Sequence, residues 1–412
     1  MLPDFHGRLR ALAAVVVRVG LNLQPGQCLL IAEPFELQGV ARGAEVIVNA
    51  VRAAAEAAGC PDVSVIWGDG ARLRQFGERA DWRAYAALVA ANAAQMQRAI
   101  DGGAALLFLQ SSQPQLMTGL PADRVNEQHR IGWEHFGPVA QQLVAGASNW
   151  TIAPAPIPAW ANAVYPDLPS EQRLSALWSA VFGALRIPPL EGPSPTDRGP
   201  SGDGPSTDSL AAWQAHLQTL RAERDALNAR RLTALHYTGA GTDLTVALPP
   251  AHVWCTACLE TKSGVPFVAN LPTEEVFTAP DQDSATGAVR VARPVSYGGG
   301  VIDGIELEFA RGRVVHAVAR TGGALLTRLL ATDDGAACLG EVALVPQVPA
   351  HGRTNRHFFH PLLDENAANH LALGQAYGFT SRELRSPALN QSLIHVDLPL
   401  DVTVARIGAE PT

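Results

Sequence analysis

At 412 residues the chain is long for one domain and short for three, and 47% apolar against 17% charged residues is the composition of a globular protein with ample core. Lys and Arg total 31 against 39 Asp and Glu, a formal net charge of −8. No basic excess exists to neutralise a phosphate backbone, so nucleic acid is a poor partner.

The first half alternates helical and strand patterns. Arg8 to Val19 reads as an amphipathic helix, Gln27 to Ala32 as a short buried strand, Gly43 to Ala58 as a second helix and Val63 to Trp67 as a second strand. A further helix precedes the strand Ala104 to Leu109. Short apolar strands separated by ten or more helical residues read as βαβ units with a parallel sheet. The expected class is therefore α/β, with an N-terminal parallel-sheet domain over residues 1–190. Gly192 to Ser209, GPSPTDRGPSGDGPSTDS, cannot bury enough surface to offset its ordering entropy and reads as a linker or loop over 191–209. A regular helix follows from Leu210 to Arg230. The second half, 210–412, has short alternating strands at Asp243–Leu248, Ile302–Phe309 and Val314–Val318 punctuated by glycines, which predicts a mixed α+β domain.

Several function classes drop out. The apolar run Leu12 to Val17 is short and closed by Arg18, unlike a signal peptide. The uncharged stretch Phe136 to Pro166 is interrupted by Gln141, Gln142, Asn149 and prolines, so it is no membrane span. Five scattered cysteines, Cys28, Cys60, Cys255, Cys258 and Cys338, argue against a disulfide framework and for the reducing cytoplasm. Walker-type, H-E-x-x-H and G-x-S-x-G motifs are missing. Gly239-Ala-Gly241-Thr-Asp243 reads as a tight turn, and the lone Cys255-Thr-Ala-Cys258 lacks the second ligand pair of a structural zinc site.

The chemistry concentrates in the last 140 or so residues. Asn270-Leu-Pro-Thr-Glu274-Glu275-Val-Phe-Thr puts adjacent carboxylates in a β-like segment, and Leu339-Gly-Glu341-Val-Ala-Leu-Val puts one on an apolar strand. Asp364-Glu365-Asn-Ala-Ala-Asn-His370-Leu-Ala-Leu-Gly-Gln-Ala-Tyr377 reads as a helix with an acidic start, on which His370 and Tyr377, separated by about 700°, share a face. In Leu393-Ile-His395-Val-Asp397 the histidine and aspartate point to one side of a strand. Each element alone has an ordinary explanation as a cap, a core histidine or a surface pair. Together they supply oxygen and nitrogen ligands without thiolate, on strands that should be buried. Buried carboxylates must be paired or hold a metal, and several in one domain is the pattern of a two-metal hydrolytic site.

In order and approximate spacing, NLPTEEVFTAP, LGEVALV, DENAANHLALGQAY and HVD resemble the aminopeptidase T/aminopeptidase S metallopeptidases. Gly241-Thr-Asp243-Leu-Thr, Asp334-Gly-Ala and Gly20-Leu-Asn-Leu-Gln-Pro-Gly26-Gln support the resemblance. It implies a cytoplasmic, homodimeric exopeptidase that removes N-terminal residues from peptides with two divalent cations, Co2+, Zn2+ or Mg2+. Carried over motif by motif, the ligands would be Glu275, Glu341, Glu365, His370, His395 and Asp397, with Glu341 bridging. Glu274 would be the general base, and Tyr377 would bind a metal or donate to the tetrahedral oxyanion. The chain departs from the family pattern at His360-Pro-Leu-Leu363, at Leu398-Pro-Leu-Asp401 and in the 192–209 insertion, which bear on substrate access. The rival is a ring-cleaving non-haem iron(II) dioxygenase using His370, His395 and Asp397 as a 2-His-1-carboxylate triad. Retention of Glu275, Glu341 and Glu365 argues against it.

Overall fold

The computed structural model describes residues 2, 4–33, 39–189, 205–298, 300–354, 356–383 and 386–408. The chain divides into two compact units, Met1–Leu217 with Ala257–Pro272, and Gln218–Thr256 with Thr273–Thr412. The division falls inside the helix Pro205–Arg230 instead of beside it, and the short hairpin Cys258–Glu260 with Pro266–Val268 belongs to the first unit. Of the segment expected as a linker, 191–204 lies outside the described residues, while Pro205 to Ser209 already form the start of that helix.

The first unit holds the expected parallel sheet. Its strands run in the order Val63–Val65, Leu29–Ala32, Ala105–Gln110, Trp150–Pro154, all parallel. Ala105 to Leu109 is almost wholly buried, as a central strand must be when helices cover both faces of the sheet. The first predicted helix is α-helical over Phe5–Val15 and widens to a π-turn over Val16–Gly20.

The second unit is built on two antiparallel sheets. The larger has six strands in the order Arg313–Val318, Glu306–Ala310, Thr286–Arg290, Thr242–Ala247, Leu232–Gly239, Thr403–Gly408. The strand expected over Ile302–Phe309 is broken at Asp303-Gly304, where Gly304 takes φ 64°. The smaller sheet has four strands in the order Val276–Thr278, Leu339–Leu344, His370–Gly374, His395–Pro399. Leu235, Tyr237, Leu244, Val246, Val276, Val342, Leu371, Leu373 and Leu398 belong to one buried core.

One expectation is corrected here. The stretch from Asp364 to Tyr377 is not one helix: a single helical turn, Pro361–Glu365, ends before a buried strand, His370–Gly374. Alanine, leucine and glutamine favour helix locally, but His-Leu-Ala-Leu-Gly also alternates with period two. Pairing on both sides, with Leu339–Leu344 and His395–Pro399, decides the outcome, because tertiary context overrides a weak local preference. Leu371 and Leu373 then enter the core, and His370 and Ala372 take the opposite face.

Candidate metal centre

That opposite face of the small sheet carries the chemistry. Val342, Leu371, Leu373, Val396 and Leu398 fill the core, so strand alternation sends Glu341, His370, His395 and Asp397 the other way. The register clears space for them. His370 stands opposite Ala343, Glu341 and Asp397 flank Ala372, and His395 stands opposite Gly374. Gly374 sits at φ 98°, and a Cβ there would collide with the Ile394 carbonyl, so only glycine fits.

These side chains form two overlapping groups. One donor atom from each of Glu275, Glu341 and His370 lies within 4.8 Å of the others, and the same holds for Glu341, His395 and Asp397. Glu341 belongs to both and uses different oxygens: Oε1 is 3.6 Å from His370 Nε2, and Oε2 is 4.0 Å from His395 Nε2. His370 Nε2 lies 2.8 Å from Glu275 Oε2, and His395 Nε2 lies 3.5 Å from Asp397 Oδ1. Glu365, buried at the end of the helical turn, interacts with Asp397, Glu275 and His370. All six sequence-predicted ligands therefore interact within one cluster, and Glu275, Glu341, Glu365 and His370 are buried.

Both imidazoles are held in one orientation. His370 Nδ1 faces the Ala368 carbonyl at 3.2 Å, and His395 Nδ1 faces that of Gln375 at 2.8 Å. Donation from Nδ1 leaves each Nε2 aimed at the carboxylates, the arrangement second partners impose on metal-binding histidines. Burial pushes the Glu341 carboxyl up, and burial together with the charges of Asp397 and Glu275 pushes Glu365 well up. Burial opposes protonation of both histidines, but the neighbouring carboxylates outweigh it: His370 is raised well above its ordinary range by Glu275, and His395 to about 9 by Asp397. Asp397 is depressed, since His395 outweighs the effect of burial. The groups thus share a surplus of negative charge that attracts protons.

That surplus tests whether divalent cations fit. Four carboxylates and two neutral imidazoles carry a formal charge of −4, which two divalent cations would cancel. Apart from the His370 contact, Glu275 Oε2 is buried with no hydrogen-bond donor among the described residues, and a cation would satisfy it. The donor set of oxygen and nitrogen suits a hard or borderline ion. The residues fit the group.

Tyr377 does not share a helix face with His370 as expected. It follows the strand, and its ring lies 5.1 Å from that of His395, centroid to centroid. Burial and the charges of Glu341, Asp397, Glu365 and Glu275 raise its phenol well above the usual value, so the hydroxyl keeps its proton. Glu274 is buried beside Glu275 but belongs to neither metal-compatible group.

Sequence reasoning missed Asn366. Fully buried, its Oδ1 accepts from the Glu274 backbone N–H at 2.6 Å, while its Nδ2 donates to Glu365 Oε1 at 3.1 Å and to the Leu362 carbonyl at 2.9 Å. One amide thus ties the Glu274-Glu275 segment to the Glu365 carboxylate across 92 residues of chain. An asparagine directly after a proposed ligand was the available signal. Asp364, read from the sequence as part of an acidic helix start, does serve that start: its oxygens accept from the backbone N–H groups of Phe358 and His360 and fix the turn before the helix.

Such a buried carboxylate–imidazole cluster is the donor set of a metal-dependent enzyme. The model of the thermophilic metalloprotease (M29) family matches residues 5–409. Aminopeptidase T of Thermus thermophilus is 39% identical over 405 residues, covering 96% of this chain and 93% of the relative. Aminopeptidase AmpS of Bacillus subtilis is 34% identical over 420 residues, covering 99% and 97%. The solved structure of wild-type AmpT from Thermus thermophilus superimposes with a TM-score of 0.84 at 36% identity, covering 98% of this chain and 97% of that one. The chain belongs to the thermophilic metalloprotease (M29) family.

Proposed function

We infer that the chain is a metallo-aminopeptidase that hydrolyses the N-terminal peptide bond of peptides at a two-metal site. Family membership supports the peptidase class, and the relatives' names support the exopeptidase reading. The two-metal reading rests on one observation: Glu341 is common to both metal-compatible groups and turns a different oxygen to each. In this reading Glu275, Glu341 and His370 hold one cation, Glu341, His395 and Asp397 the other, and Glu365 completes the set beside Asp397. Bound Co2+, Zn2+ or Mg2+ would supply Lewis-acid polarisation of the scissile carbonyl and a water acidic enough to attack near neutral pH.

The chain's own residues do the rest. The neutral phenol of Tyr377 donates a hydrogen bond to the oxyanion as the carbonyl becomes tetrahedral. Glu274 is the candidate acceptor for the water's proton, which it passes to the leaving amine. The enzyme acts as a cytoplasmic homodimer in this reading. The free state of all five cysteines accords with a reducing compartment, and among the described residues no helix is long and apolar enough to cross a membrane.

A mononuclear iron site built from His370, His395 and Asp397 would leave Glu275, Glu341 and Glu365 as buried carboxylates without a counter-charge. It also fails to explain why His370 is grouped with Glu275 and Glu341 while His395 is grouped with Asp397. The deciding experiment follows release of the N-terminal residue from matched free and N-acetylated peptides, before and after EDTA and after added metal. Cleavage should need the free amino group, stop with chelator and return with metal. Cleavage of acetylated peptides, or activity indifferent to EDTA, would contradict the reading.

A further inference from the structure

A row of aromatic rings leads away from the metal-compatible cluster. The Tyr377 ring lies 5.1 Å from that of His395, and the Phe379 ring stacks on Tyr377 at 5.4 Å with an interplanar angle of 13°. Phe277, itself buried, backs both edge-on at 6.3 and 6.2 Å. Glu275 and Phe277 are two residues apart, so the same short segment supplies a ligand and the backing of the aromatic row.

This row is built to stay in place. The Thr380 hydroxyl and N–H both donate to the Tyr377 carbonyl, at 2.6 and 3.0 Å, closing a tight turn around Phe379. The Thr380 carbonyl accepts from Val253 N–H at 2.8 Å, and the Cys255 thiol donates to the Phe379 carbonyl at 3.7 Å. The thiol is buried, which pushes its pKa up to about 12 and keeps it an inert donor. Tyr377 and Phe379 nevertheless remain only half-buried. Two stacked rings on a hydrogen-bonded backbone, partly exposed beside a charged centre, form an aromatic surface that the buried core does not fully cover.

We propose that Tyr377 and Phe379 form a shelf for the side chain of the substrate's N-terminal residue, giving the enzyme a preference for apolar, above all leucyl and aromatic, N-termini. The proposal rests on the aminopeptidase reading. The α-amino group and scissile carbonyl flank one carbon, and the side chain leaves from that carbon. With both flanking groups at the cluster, the side chain can reach the aromatic surface next to His395, the Tyr377–Phe379 stack. A planar face of this kind suits a ring or a branched aliphatic chain and offers nothing to a glycine.

The test compares two series of free dipeptides, X-Ala and Ala-X, with X as Gly, Ala, Leu or Phe, on wild-type enzyme and on Phe379→Ala and Phe379→Leu. The readout is the ratio of kcat/KM for Leu-Ala or Phe-Ala to that for Gly-Ala, which is insensitive to the fraction of folded enzyme. Wild type should give a ratio on the order of 10 to 100. Phe379→Ala should bring it to within about threefold of unity, with Phe379→Leu in between, while bound metal is retained. An intact ratio in Phe379→Ala, or one that changes only in the Ala-X series, would overturn the shelf. Absence of cleavage of every dipeptide by metal-loaded wild type would overturn the aminopeptidase reading itself, a separate result from an unaltered ratio.

Discussion

Raising the pH of chelator-treated protein should destabilise it, by an amount that follows from the buried cluster. Burial alone would lower the His395 pKa, but Asp397 and Glu341 hold it at about 9 in the fold against 6.5 for a free imidazole. Between those values the folded state binds more protons than the unfolded chain, so stability falls as pH rises. The difference corresponds to roughly 3 kcal/mol, fully present below about pH 6.5 and lost once the pH passes about 9. The raised His370, Glu341 and Glu365 act with the same sign. Asp397 is depressed, so its contribution is lost only on acidification and does not change over this window. For a unit of 150–250 residues, ~3 kcal/mol is roughly a 6–12 °C fall in Tm. Scanning calorimetry in EDTA at pH 6.5 and 9.5, at matched ionic strength, reads it directly. Metal-loaded protein scanned in parallel should lose far less, because cation binding has already displaced those protons. A Tm in EDTA that is flat or rises with pH would refute the account of the cluster's charge.

Further substitutions separate the roles. Glu341→Gln should abolish activity and lower bound metal; unchanged metal content by elemental analysis would remove Glu341 from the ligand set. Tyr377→Phe should reduce kcat by roughly 100-fold with metal affinity largely kept, and wild-type turnover would end its role as oxyanion donor. Glu274→Gln should reduce kcat by about 100-fold or more with bound metal retained; near-wild-type kcat would pass the base role to another group. Asn366→Ala should weaken metal binding by about 10- to 100-fold in calorimetric titration, because it frees Glu365 and the Glu274-Glu275 segment together; unchanged affinity would reduce Asn366 to a packing residue.

The sequence was most legible where period and chemistry coincided. Ala105 to Leu109 reads as a buried strand because it is apolar throughout, and His395-Val-Asp397 reads as two polar residues on one strand face because the period is two. The six cluster residues were singled out by the motifs' resemblance to a known family, which agreed with the need of carboxylates and imidazoles on apolar strands for a counter-charge. The strand His370–Gly374 was hidden because its residues favour helix and its partners lie 21 to 34 residues away in sequence, so the choice depends on contacts no local window contains. That error moved Tyr377, which belongs beside His395 and not over His370. The Tyr377–Phe379 stack was invisible for a related reason, and Asn366 was marked only by following a proposed ligand: the importance of each lies in what it touches.

The central claim is that one carboxylate, Glu341, joins two cation sites in one catalytic centre. It is tested most directly by titrating EDTA-stripped, dialysed enzyme with Co2+ or Zn2+ while following release of the N-terminal residue from a free peptide. The account predicts that activity reaches its plateau at two equivalents per chain. A plateau at one equivalent, or full activity before any metal is added, would contradict it.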